Sequence, residues 1–173
     1  MTRSIIKIKT TSLDHQIAQL SAIAIGLSLI ESVLPFPMPG VKPGIANIIT
    51  LYAIYRFNFK TAMWVSILRV FATSLLLGQF LSPTFMLSLT GSMLSLLTLY
   101  FVIKLPSKFF SPVGLSVLSS FAHIAGQLIL VRLWLIPHAS IYYLIPIYSA
   151  AALLFGCING WITYRLLKQH NSI

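Results

Sequence analysis

Uncharged apolar runs, interrupted by proline, glycine and small groups of cations, set the pattern of this chain. No Asp, Glu, Lys or Arg occurs from 70 to 103, from 109 to 131 or from 133 to 164. Each run is longer than the roughly 20 apolar residues that a membrane-spanning helix needs. Read with their breaks, they predict six helices at about 16–34, 44–56, 61–78, 83–103, 112–136 and 142–167. No linker or low-complexity stretch separates them. The expected fold is therefore all-α, a single integral membrane bundle of six transmembrane helices spanning 1–173.

Composition agrees and removes other classes. Of 173 residues, 57% are hydrophobic and 8% charged, against about 25% charged in soluble domains. A formal charge of +10 would point a soluble protein toward nucleic acid. Here most cations sit in short loops beside apolar runs, where they orient the chain and meet anionic headgroups. Arg3, Lys7, Lys9, Arg56, Lys60, Lys104, Lys108, Arg165 and Lys168 fall on one side of the predicted topology, and Lys42 alone among the loop cations falls on the other. The protein is thus expected to be multi-pass in the inner (plasma) membrane with both termini cytoplasmic, touching membrane lipid and no nucleic acid. Cys157, the single cysteine, lies inside an apolar run and reads as packing. No phosphate-cradling loop, Cys pair, His-x-x-x-His or pair of neighbouring carboxylates occurs. The chain is expected to catalyse nothing by itself and to hold no metal or cofactor.

The second predicted helix is the anomaly. Its uncharged run, 43–55, makes about 20 Å of helix against a hydrocarbon core of about 30 Å. The prolines before it, Pro35, Pro37, Pro39 and Pro43, exclude regular helix. Irregular backbone at membrane depth is tolerated where protein buries it or where it lines a wet cavity. A helix starting near Gly44 could then aim its positive end at an anionic group. An ordinary outer loop on a short tilted helix would leave the same pattern.

The polar residues inside the spans fall on faces. On the fifth, Ser116, Ser120, His123 and Gln127 share one side, with His123 near the midplane. That position suits a ligand contact or a histidine bonded across helices. Arg69, on the third, shares a face with Ser66 and Thr73, and needs a counter-charge. Asp14 is at the cytoplasmic end of the first helix, which leaves Glu31 as the carboxylate of the outer half. Arg69 and Lys42 against Glu31 leave a surplus positive charge that an anionic ligand could complete, and a buried structural ion pair is the other reading. The first helix has two faces: Ser21, Ala24, Ser28 and Glu31 on one, Ala18, Ala22 and Gly26 on another, where small residues allow close approach within the bundle or to a partner. Stripes of Thr84, Ser88, Gly91, Ser95 and Thr98, and of Ala152, Gly156, Asn159 and Thr163, read as packing seams. Arg132, near the outer surface, reads as snorkelling to headgroups.

Four segments carry a resemblance: Leu29-Ile30-Glu31-Ser32-Val33-Leu34-Pro35, Pro39-Gly40-Val41-Lys42-Pro43-Gly44-Ile45-Ala46-Asn47-Ile48, Leu68-Arg69-Val70, and Ser116 through Leu128 with its Ala122-His123 and Gly126-Gln127. In this order they resemble the Gx transporter family, also labelled heptaprenyl diphosphate synthase component I, over about 20–167. The resemblance implies an S component of an energy-coupling factor transporter, the substrate-capturing membrane subunit that works with a separate transmembrane coupling protein and two ATPases. It implies a site opening outward, and a coupling-protein contact at Ala18, Ala22 and Gly26. The expected substrate-binding residues are Glu31, Lys42, Asn47, Arg69, His123 and Gln127. The expected function is uptake of a small anionic nutrient or cofactor precursor. The alternative is a non-catalytic membrane accessory subunit of polyprenyl (heptaprenyl) diphosphate synthesis, since a single aspartate cannot supply the aspartate-rich motifs that bind Mg²⁺-diphosphate.

Overall fold

The computed structural model describes residues 10–34, 43–105, 111–136 and 138–170. Pro35, Pro37, Pro39 and Lys42, together with Arg3, Lys7, Lys9 and Lys108, lie outside the described residues. Six α-helices follow one another: α1 (Ser12–Val33), α2 (Asn47–Arg56), α3 (Phe59–Leu76), α4 (Pro83–Val102), α5 (Pro112–Leu130) and α6 (Ile145–His170). A π-helical turn, Val131–Leu135, extends α5, and a 3₁₀ segment, Ala139–Leu144, leads into α6. No strand occurs among the described residues.

Local chemistry sets most of the helix ends. Thr11 and Asp14 form a capping box at α1, each side chain bonding the other's backbone N–H. Asn58 caps α3. Ser82-Pro83 and Ser111-Pro112 open α4 and α5, with the serine hydroxyl taking an orphan N–H and proline supplying the first-turn φ. At the end of α3, Gly78 adopts φ +65 while Gln79 N–H reaches Ser74 O and Gly78 N–H reaches Leu75 O, the bond pair of a Schellman stop.

The second helix departs from the sequence reading. It starts at Asn47 instead of near Gly44, and its 10 residues make about 15 Å, half of the hydrocarbon core. Gly44, with φ +69, turns the backbone, and the first N–H groups of α2 bond back to the carbonyls of Gly44, Ile45 and Ala46. α2 has no side-chain cap of its own. It packs against α1, α3, α5 and α6, and Thr50, Leu51 and Ala53 are fully buried there. Around this centre α1 packs on α3, α3 on α4, α4 on α5 and α5 on α6.

Two helix pairs meet at glycine. A Cβ on Gly126 would sit 2.8 Å from Thr90 O of α4, and one on Gly160 would sit 2.5 Å from Val113 Cα of α5. Both stripes read as seams are therefore seams along part of their length.

The surface is inverted relative to a soluble protein. Serines and threonines such as Ser66, Ser95, Ser116, Ser119 and Thr163 are buried, while Leu76, Phe101, Leu133, Leu154 and Trp161 stand more than half exposed. Five helical segments, all but α2, are long and apolar enough to cross a membrane. Cation–aromatic pairs mark helix ends: Lys104 over Tyr100, Arg165 over Trp161, and Arg132 over Tyr142. This is the build of a multi-pass membrane protein. Cys157 corrects the sequence reading, because it is exposed on α6 and packs no core.

Candidate functional site

Glu31 and the start of α2 organise the site. The Glu31 side chain, 5% exposed, points from α1 so that Oε1 accepts the Ile45 N–H at 2.5 Å. A carboxylate fourteen residues back in sequence thus holds the backbone two residues before α2, and places negative charge beside the positive end of the helix. The Glu31 carboxylate therefore stands beside the positive end of α2, in the region expected for an anionic ligand.

On the other side of the same backbone, Asn159 of α6 donates from Nδ2 to Pro43 O at 2.8 Å and to Gly44 O at 3.2 Å. Glu31 and Asn159 thereby hold residues 43–45 between α1 and α6. Asn47, one turn on, reaches α5 by donating to Ser119 Oγ at 3.0 Å, and Ser119 bonds Ser95 of α4 at 2.7 Å. The chain of bonds crosses three helices, so the position of α2 is fixed by polar contacts inside an apolar bundle.

Below this segment lies a cavity of about 170 Å³. Glu31, Asn47, Arg69, His123 and Gln127 all line it, so five of the six residues expected at a binding site converge; Lys42 lies outside the described residues. Arg69 enters from α3 and donates from Nη2 to Ser92 Oγ of α4 at 3.3 Å, within electrostatic range of Glu31. His123 and Gln127, successive on α5, approach at 3.3 Å between Nε2 atoms. The imidazole presses against α4 at Gly91, where a Cβ would lie 2.8 Å from its Nε2. Any larger residue at 91 would drive the ring into the cavity.

Hydroxyls supply much of the remaining polar wall, among them Ser28 from α1, Thr73 from α3, Thr84 and Ser88 from α4, and Ser120 from α5. The face read on α5 is divided, since Ser120, His123 and Gln127 reach the cavity while Ser116 is fully buried where α5 meets Gly160. On α3, Thr73 lines the cavity with Arg69, and Ser66 is buried elsewhere. Asn159 is the residue that sequence reading missed, having placed it in a seam. Its signal was an amide inside an otherwise apolar run, a group that must find partners in the bundle.

The two faces of α1 separate cleanly. Ser21, Ala24 and Glu31 are buried, whereas Ala18 and Ala22 are exposed and nothing lies within 4 Å of a Cβ built on Gly26. The small-residue ridge faces away from the bundle.

Chemically, the cavity offers one guanidinium, one carboxylate, amides, an imidazole and rotatable hydroxyls. Among the described residues no three His, Cys, Asp or Glu side chains come together to cage a metal. The lining suits a small ligand rich in oxygen acceptors, held by hydrogen bonds. No curated protein and no solved structure matches the chain. The family model described as heptaprenyl diphosphate synthase component I matches residues 20–166, and to that family the chain belongs.

Proposed function

We propose that the chain is the substrate-binding membrane subunit, or S component, of an energy-coupling-factor-type importer for a small anionic nutrient or cofactor precursor. One observation carries the reading: a guanidinium held inside an apolar bundle, at the wall of a polar cavity, donating to the neutral hydroxyl of Ser92. Charge at such depth is expensive and marks a ligand path by default. On this reading α2 belongs to the sixth crossing, both termini are cytoplasmic in the inner membrane, and the cavity opens outward. The bundle forms one domain and performs no chemistry alone. The outward ridge of Ala18, Ala22 and Gly26 meets a transmembrane coupling protein, which joins the ATPase subunits.

Small molecules retained by protein purified in mild detergent would be identified by mass spectrometry and titrated back. Arg69→Ala should weaken binding about tenfold or more, the equivalent of one charge-assisted hydrogen bond of about 1.5–3 kcal/mol. A folded Arg69→Ala protein that binds as tightly as the parent would remove the anionic-ligand reading.

The family description favours a second reading, in which the chain is a non-catalytic accessory subunit of heptaprenyl diphosphate synthesis and its partner is the synthase's second component. Co-purification from the native membrane separates the two, since the first reading expects a coupling protein with ATPases and the second a prenyl synthase.

A further inference from the structure

A second cavity lies on the outside of the bundle. It is a groove of about 640 Å³ between α3, α4 and α5, and α1, α2 and α6 contribute nothing to it. Met63, Ile67, Met93, Leu97 and Leu130 supply most of its character. Thr90 lines it too, but its hydroxyl is spent on the carbonyls of Met86 and Leu87 in its own helix. A polar ligand would find almost nothing to bond, and a hydrocarbon chain would find flexible methionine walls that adapt to it.

The ends of the groove differ. At one, Tyr100 lies under the Lys104 ammonium, 3.9 Å from the ring centroid, and packs on Phe59 at 5.2 Å between centroids. Lys60 follows Phe59, and both lysines are exposed. The chain's two acidic side chains, Asp14 and Glu31, are both on α1, away from the groove, so the positive mouth meets no carboxylate there. From Tyr100 to Thr90 the groove follows α4 for about 15 Å, half of a hydrocarbon core of about 30 Å. Ile129, Leu130 and Leu133 continue it along the end of α5, and an apolar slot of this length with cations at its mouth has the shape and charge of a lipid site.

We propose that this groove holds one acyl chain of an anionic phospholipid, with the phosphate at Lys104 and Lys60. Delipidated protein in mild detergent would be mixed with equimolar dioleoyl phosphatidylglycerol and dioleoyl phosphatidylcholine and read by native mass spectrometry. Phosphatidylglycerol should be retained roughly fivefold or more over phosphatidylcholine, the contribution expected of one surface lysine. The Lys60→Gln, Lys104→Gln double variant should bring the two lipids level. Met93→Trp, at a position 54% exposed and so outside the core, should fill the groove and lose both lipids. Equal retention by the parent, or an unchanged phosphatidylglycerol adduct in Met93→Trp, would overturn the proposal. Farnesyl diphosphate that displaced phosphatidylglycerol at equal concentration would overturn it in favour of a prenyl occupant.

Discussion

Helices α4, α5 and α6 touch backbone to backbone, while α1, α2 and α3 are joined through side chains. In the first trio Gly126 rests on Thr90 O, and Gly156 and Gly160 rest on the Cα atoms of Val117 and Val113. In the second, a small cluster of Ala24, Ile49 and Val65, with Leu20 and Leu27 against it, is supplemented by a charged bond from Glu31 to Ile45 N–H, just before α2. A backbone seam has no rotamers to adjust, so α4, α5 and α6 behave as one fixed wall that presents His123 and Gln127. The side-chain-held trio carries the charges and the irregular backbone. Across the cavity a rigid surface of neutral groups therefore faces a softer one that holds Arg69 and Glu31.

The largest effect should come from breaking the seam. Gly160→Val would put a branched side chain where even a Cβ lies 2.5 Å from backbone, and strain of about 3 kcal/mol or more should leave no monodisperse peak in size-exclusion chromatography. Next, Glu31→Gln should lower stability by about 1.5–3 kcal/mol, read as earlier thermal unfolding in detergent, because the Ile45 N–H before α2 loses its charged acceptor and Arg69 its counter-charge. Asn159→Ala, which removes two neutral bonds to Pro43 and Gly44, should cost about 1–2 kcal/mol by the same assay. An Asn159→Ala protein less stable than Glu31→Gln would show that α6 and not α1 fixes the α2 approach. The smallest change should come from Ala22→Leu on the exposed ridge: unfolding and ligand binding unchanged within error, with loss only of co-purifying membrane partners.

Sequence marked the long helices to within a few residues because capping residues and prolines are adjacent to the ends they set, as at Ser82-Pro83 and Ser111-Pro112. It misplaced the start of α2 because the backbone turns at Gly44 before the helix, and the groups that hold that turn, Glu31 and Asn159, are on other helices. Much the same holds for the site. In a chain with few polar residues in its spans, Arg69, His123, Gln127 and Glu31 stand out individually, and the cavity that collects them is the economical way to bury them together. Asn159 did not stand out as a strap holder, because its acceptors are backbone carbonyls more than a hundred residues away, and carbonyls carry no sequence signature.

The bonds from Asn159 to Pro43 and Gly44 span 116 and 115 positions of the chain, and Asn159 is in α6, which is made after α1 to α5. Helices α1, α3, α4 and α5 can be made with their caps at Thr11, Asn58, Ser82 and Ser111 already in place, but the carbonyls that lead into α2 must wait for α6. The side of the cavity that α6 supplies therefore closes only once that helix is in place, and a chain released before α6 would keep its five earlier helices with the cavity open on that side.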